Sequence, residues 1–245
     1  MPTFFVAAEA IVPPTVRISG PLLHHLRESL RLQPGEILSI TDDRGKRYRA
    51  EIAEVTGREL VGRILETMSA PLTAAPSIIL TQALLKGEKM DWVIQKATEL
   101  GVERIVPALA KHSIVRPRAD RIEHQRERWQ RIALEAAQQS ERWNVPVIDA
   151  PVTLPELLTR SKSATSKIIL AERSDGTSLT TAPLSGAGNE VWLLVGPEGG
   201  WDDEELAQLL QQGYTAVTLG RRILRAETAA IAAISVLQSR LGGLG

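Results

Sequence analysis

The first seventy residues carry apolar positions in short runs or in alternation. Residues 4–6, 16–18, 37–40, 48–55 and 60–65 show this pattern, the two-residue period of half-buried strands. Turn residues separate them: Pro13-Pro14, Ser19-Gly20-Pro21, Pro34-Gly35, Asp42-Asp43-Arg44-Gly45 and Gly57,. One stretch, residues 22–32, departs from the period. It places Leu22, Leu23, Leu26 and Leu30 at helical spacing,. Short strands at these intervals predict a small β-barrel. Residues 69–76 are rich in proline and small side chains and predict a linker. The expected organisation is an N-terminal β-barrel over residues 1–70 and a second domain over 71–245.

Beyond residue 76 strands and helices alternate. Residues 77–84 read as a strand. Met90, Val93, Ile94, Ala97 and Leu100 then recur at helical spacing before Gly101, a helix-ending residue. Residues 103–109 predict another strand, and 121–143 a long helix with Trp129, Ile132, Ala133, Ala136 and Ala137 on one face. Residues 167–171 and 191–195 are continuous apolar runs, as strands buried on both faces require. Asp202 and Glu205 form a capping-box pair opening a helix that ends near Gly213,. Residues 215–219 predict a strand and 227–241 an alanine-rich helix. This alternation implies a mostly parallel α/β sheet.

Composition narrows the chemistry. There is no cysteine, so disulfides and thiolate metal sites are excluded. His24, His25, His112 and His124 lack metal-ligand spacing, and no metal is expected. The Met-Pro-Thr-Phe-Phe-Val start is unlike a signal peptide, no apolar run reaches membrane-spanning length, and the expected location is the cytoplasm. Net charge is zero, from 29 basic and 29 acidic residues. The basic residues are nevertheless grouped: Arg44, Lys46, Arg47 and Arg49; Lys111 to Arg131, including Arg116 and Arg118; and Arg221, Arg222 and Arg225. Such groups are either solvated faces or grips for a phosphate backbone.

Ligands of open α/β sheets bind beyond the carboxyl ends of strands, and three strand ends here are unusual. They are Leu170-Ala171-Glu172-Arg173, Val195-Gly196-Pro197-Glu198-Gly199-Gly200, and Leu219-Gly220-Arg221-Arg222-Ile223-Leu224-Arg225. Three glycines in five residues allow a backbone to approach a ligand closely. The run lacks the Lys-Ser/Thr of a P-loop and the spacing of a dinucleotide-binding turn. Ile223 and Leu224 among arginines in a connection predict either a pocket lining or packing beneath the sheet.

These residues resemble a known family. Leu193-Leu194-Val195-Gly196-Pro197-Glu198-Gly199-Gly200-Trp201 and the segment from Leu219 to Ala229 are similar to the C-terminal signatures of the bacterial 16S ribosomal RNA uridine-N3 methyltransferases, members of the SPOUT superfamily. Gln95-Lys96-Ala97-Thr98-Glu99-Leu100-Gly101, Arg142-Trp143-Asn144-Val145-Pro146 and His24-His25-Leu26 add collinear matches. Thr3 stands where the family carries an arginine. The resemblance implies a PUA-like barrel followed by a SPOUT α/β domain with a deep trefoil knot, and S-adenosylmethionine as cofactor. It implies cofactor contacts at Leu170, Ala171, Leu194, Val195, Gly196, Pro197, Glu198, Gly199, Gly200, Leu219, Gly220, Arg222, Ile223, Leu224, Arg225, Thr228 and Ala229. It also implies a homodimer, for which Trp129, Trp143 and the alanine-rich helix are either apolar interface surface or equally core, and a 16S ribosomal RNA substrate in the assembled small subunit.

Uridine N3 must lose a proton before it attacks, so a base or an anion-stabilising group is required. Glu198, Glu227 and Arg225 are the candidate catalytic residues, with Arg222 as a second holder of an anion or a phosphate; both glutamates could instead fix the loops by accepting backbone N–H bonds. Arg44, Lys46, Arg47, Arg49, Arg116 and Arg118 are the candidate RNA contacts. Two alternatives share much of this pattern: a related methyltransferase acting on another RNA position, and a non-catalytic RNA-binding assembly factor.

Overall fold

The computed structural model describes residues 3–72, 75–164, 166–171, 177–184 and 190–244. The chain divides into two compact units. One holds the described residues up to 72 together with Ala137–Asn144, and the other holds the remainder.

The first unit is a six-stranded sheet. Its strands are β1 (Thr3–Val6), β2 (Ile11–Val12), β3 (Thr15–Ile18), β4 (Ile37–Asp42), β5 (Lys46–Val55) and β6 (Leu60–Ser69), in the order β1-β4-β5-β6-β3-β2. The β1–β4 pair is parallel and the others are antiparallel. Among the described residues the edge strands β1 and β2 do not pair, so the expected barrel is a half-barrel. Its core is formed by Phe4, Val16, Ile18, Leu23, Leu26, Leu38, Ile40, Ala50, Ile52 and Leu60. The alternation in residues 48–52 buries Tyr48, Ala50 and Ile52 on one face of β5, as a period of two demands.

The expected helix over residues 22–32 is shorter and changes type. Helix α1 (Gly20–His24) passes into a π-helical turn over His25–Ser29, closed by the Leu30 N–H donating to the His25 carbonyl at 3.2 Å. A π turn holds an extra residue and so rotates the later side chains around the helix axis. Leu23 and Leu26 stay buried while Leu30 turns out to 43% exposure. Leu22, partly buried, packs against the same core, so the four-leucine face keeps three.

The second unit is an α/β layer structure. Strands β7 (Ser77–Ala83), β8 (Arg104–Leu109), β9 (Val147–Ile148), β10 (Val152–Thr153), β11 (Ser166–Leu170), β12 (Thr177–Ser178), β13 (Glu190–Val195) and β14 (Thr215–Thr218) form one sheet. Its order is β10-β8-β7-β13-β11-β14-β12, with β9 also on β8, and every pairing is parallel. The helices are α2 (Lys89–Glu99), α3 (Ile122–Gln139), α4 (Leu154–Arg160), α5 (Asp203–Gln211) and α6 (Ala226–Leu241).

Successive residues of the central strands serve opposite cores. Ile78, Leu80, Val191, Leu193 and Val195 join the cluster with Val93, Ile94, Ala230 and Ile234. Ile79, Trp192 and Leu194 join the cluster with Leu157, Leu209 and Tyr214. Both faces are covered, which explains why residues 191–195 show no alternation. Trp129 lies in the first of these cores at 1% exposure, so it offers no interface surface.

The long helix ends at Gln139 rather than 143, because Glu141 adopts a left-handed φ of 54°. Helix α4 carries no apolar face long enough to be noticed in the sequence, yet Thr153 and Glu156 cap it reciprocally. The Asp202–Glu205 capping box forms as its spacing predicts. Among the described residues no helix is long and apolar enough to cross a membrane.

Candidate active site at three adjacent strand ends

Strand β11 lies between β13 and β14, and all three run parallel. Their carboxyl ends are therefore neighbours, and the three unusual turns of the sequence meet there. Glu172 and Arg173 of the first turn lie outside the described residues.

Between the β11 and β14 ends is a groove lined by Leu170, Ala171, Val217, Thr218, Leu219, Gly220, Arg222, Leu224 and Ala229, with a free space of about 320 Å³ counting its open mouth. Val217 and Thr218 were not singled out in the sequence, because a β14 residue at the strand's end looks like any other strand residue. Gly220 has φ +110°, a conformation that side chains rarely adopt. The Thr218 hydroxyl locks this turn, accepting from the Gly220 N–H at 2.8 Å and donating to its carbonyl at 3.2 Å.

The glycine turn after β13 is built differently from the expectation. A Cβ on Gly199 would stand 3.0 Å from the His112 Cβ, and one on Gly196 would stand 3.1 Å from the Trp201 indole nitrogen. These glycines admit neighbouring parts of the protein itself. The loop after β8 is thus pressed against the turn. It is fixed there by the Lys111 N–H donating to Glu205 Oε1 at 2.8 Å and by Lys111 Nζ 3.0 Å from Asp202 Oδ2. The hydrogen bond from Lys111 lowers the Asp202 carboxyl, and the same bond raises the Lys111 ammonium. Leu194 and Val195 are buried within the sheet at 0% and 2% exposure.

A second, wider cavity of about 620 Å³ measured in the same way is lined by Lys89, Glu198, Ile223, Leu224, Arg225 and Ala226. Leu224 belongs to both spaces. Ile223 is 66% exposed, so it lines the cavity rather than packing beneath the sheet. Glu198 Oε1 accepts from the Lys86 N–H at 3.3 Å and from Lys89 Nζ at 3.2 Å. Burial pushes the Glu198 carboxyl up, but hydrogen bonds from its own backbone and from Lys86 and Lys89 outweigh it, and the net shift is downward. Lys89 Nζ also lies 3.8 Å from Glu227 Oε2, and that oxygen is buried with no hydrogen-bond partner. Lys89 carries no signal in the sequence because it opens an ordinary amphipathic helix. Arg225 is the exposed N-cap of α6, and Thr228 is exposed in its first turn.

The outlying basic residues have other surroundings. Arg47 donates through Nη2 to the Glu141 and Arg142 carbonyls at 2.9 and 2.7 Å, and through Nε to Thr41 Oγ1 at 3.1 Å. Its guanidinium carbon sits 4.1 Å from the centre of the Trp143 ring. Arg49 pairs with Glu66 at 3.3 Å, Arg44 with Glu9 at 3.8 Å and Arg118 with Asp120 at 3.1 Å. Arg116 donates to the Lys111 carbonyl at 3.1 Å, and Lys46 is exposed. Thr3, in place of the family's arginine, is buried and hydrogen-bonded to Thr41 at 3.0 Å.

Known proteins share this architecture along the whole chain. An RNA methyltransferase domain model matches residues 71–238 and an RNA methyltransferase PUA domain model matches residues 18–65. A ribosomal RNA small subunit methyltransferase E from Synechocystis sp. is 33% identical over 238 residues, covering 96% of this chain and 77% of its own. The protein of that name from Bacillus subtilis is 31% identical over 229 residues, covering 91% and 90%. The crystal structure of a ribosomal RNA small subunit methyltransferase E from Neisseria gonorrhoeae, bound to S-adenosyl methionine, superposes with a TM-score of 0.88 at 32% identity over 98% of each chain. With both domain models matched in order and relatives of one kind aligned nearly end to end, the chain belongs to the ribosomal RNA small subunit methyltransferase E family.

Proposed function

We propose that the protein transfers a methyl group from S-adenosylmethionine to N3 of a uridine in 16S ribosomal RNA. The observation that carries this is a pair of spaces near the β11, β13 and β14 ends that share Leu224 as a wall. The narrow one has apolar walls at Leu170, Leu219, Leu224 and Ala229 and backbone polar groups along residues 217–220, which suits a flat, edge-polar ring such as adenine,. The wider one has a cation, a carboxylate and Arg225 around it, which suits a polar nucleobase. The solved relative from Neisseria gonorrhoeae, bound to S-adenosyl methionine, supports the cofactor assignment.

The bound cofactor supplies an electrophilic methyl group. The chain's own residues hold the base, exclude water and manage one proton. N3 lies on the Watson–Crick edge, so the target must be unpaired or flipped out of its stack. Arg225 donates hydrogen bonds to the oxygens of the uracil anion, where they count most in a partly closed site. Arg222 lines the narrow groove and would contact the part of the cofactor held there. Arg44, Lys46, Arg49, Arg116 and Arg118 grip RNA phosphates, since exposed ion pairs are weak and exchange partners readily. The same reading includes a cytoplasmic homodimer whose second domain is knotted and whose substrate is the assembled small subunit. In support of the dimer, Trp92 on α2 is 42% exposed, and Ile231 and Val236 of α6 are only partly buried.

Nucleoside mass spectrometry of 16S RNA from cells lacking the gene tests the assignment. One N3-methyluridine should vanish and return when the purified protein and S-adenosylmethionine are added. Loss of a ribose-methylated nucleoside instead would identify a different reaction.

A further inference from the structure

The two candidate carboxylates are not equivalent: Glu198 lines the wider cavity, Glu227 follows its lining residues Arg225 and Ala226, and a lysine that the sequence left unmarked separates them. Lys89 is the first residue of α2. A cation at a helix N-terminus opposes the helix dipole, so this position is locally unfavourable and needs another reason. An ammonium has three donors. One bonds Glu198 Oε1 at 3.2 Å, while Glu227 Oε2 stands 3.8 Å away, within ion-pair range but outside hydrogen-bond range. Glu198 additionally accepts the Lys86 N–H, so it ties the β7–α2 connection to the glycine turn, and its proton affinity is lowered. Glu227 Oε2 is buried and its lone pairs are unoccupied.

We infer that Lys89 is a positioning residue that fixes Glu198 as a structural clamp and leaves Glu227 as the proton acceptor for the target base. This rests on the proposed function and names the base within it. Lys89 from α2 faces Glu227 and also holds Glu198, and Arg225, the N-cap of the Glu227 helix, lines the neighbouring cavity. In the step assigned to it, the N3–H proton passes to the Glu227 carboxylate, whose side chain is 14% exposed. The N–H bonding pair remains on N3 as the imide lone pair, and the resulting carboxylic acid later returns its proton to water.

The test uses the full-length protein with S-adenosylmethionine and 16S RNA or the small subunit. It compares Glu227→Gln, Glu198→Gln, Lys89→Met and Lys89→Arg. Readouts are kcat, KM, S-adenosylmethionine affinity by calorimetry, RNA affinity and the melting temperature. Glu227→Gln should lower kcat by about 100-fold or more, as loss of a general base does, with both affinities and the melting temperature little changed. Glu198→Gln should lower the melting temperature and weaken binding, with a smaller effect on kcat. Lys89→Met should lower kcat without raising KM, and Lys89→Arg should recover most of the loss. The inference is overturned if Glu227→Gln keeps parental kcat, if Glu198→Gln reproduces the kcat loss in a normally melting protein, or if Lys89→Met acts only through stability. If the methylated atom proves to be other than uridine N3, the proposed function fails on product analysis. The division between the two glutamates is then judged by the same four variants on the true product.

Discussion

Arg47 and the arginines after β14 stand in groups that look alike in the sequence, yet their surroundings differ. In the half-barrel unit, Arg47 is half-buried and its guanidinium is satisfied by two backbone carbonyls, a threonine and a tryptophan face. Burial lowers its pKa, and the Glu141 charge only partly opposes this. In the turn after β14, Arg221, Arg222 and Arg225 are exposed, and among the described residues their side chains have no hydrogen-bond or ion-pair partner. A satisfied guanidinium stabilises a fold, whereas an unsatisfied one beside a cavity is available to a ligand. Local charge density does not distinguish these cases.

Three experiments sharpen this contrast. The largest effect is expected at the open group. Arg225→Ala should lower kcat by about 100-fold while the melting temperature stays near the parent's. Unchanged turnover would remove Arg225 from the chemistry and return the whole group to solvated surface.

Next comes Arg47→Ala. It leaves two carbonyls and the Trp143 face without their cation, and the expected cost is about 2 kcal/mol. That corresponds to a melting temperature lower by about 4–8 °C for a chain of this length. Calorimetric melting checks this. RNA affinity lost at an unchanged melting temperature would instead make Arg47 a phosphate contact.

The smallest effect compares the two units through their tyrosines. Burial and a hydrogen bond to Asp42 raise the Tyr48 phenol in the half-barrel, and burial pushes Tyr214 in the α/β unit up to about 12, with its bond to Ser161 opposing. A folded pKa above the unfolded value of about 10 means full stability below pH ~10, lost as pH rises toward about 12. Near-ultraviolet phenolate absorbance should therefore rise late, together with unfolding. Tyr214→Phe should soften the alkaline fall in stability. Early phenolate absorbance in the folded protein would contradict the burial of both rings.

Residues 191–195 announced a doubly covered strand, and the Asp202–Glu205 spacing announced a helix start, because each signal is local and period-bound. The glycine turn and the Leu219–Arg225 segment were visible as unusual strand ends for the same reason. Residues 22–32 misled because the π turn at His25–Ser29 changes the helical period within the segment. Helix α4 was missed because only Leu157 of its seven residues is buried, too little for a periodic signal.

By itself, then, the sequence determined the alternation of elements and the turns that form the candidate site. Those depend on side-chain periodicity, on caps and on glycine, all properties of neighbours along the chain. The tertiary structure alone decided that β11 lies between β13 and β14, which brings the three turns together. It alone decided that Gly199 faces His112 and that Arg47 is closed off by residues 141–143. Only there does Lys89 stand between Glu198 and Glu227, from positions more than a hundred residues away in sequence. Pairings across such separations arise from strand order and packing, and no local pattern of residue types encodes them.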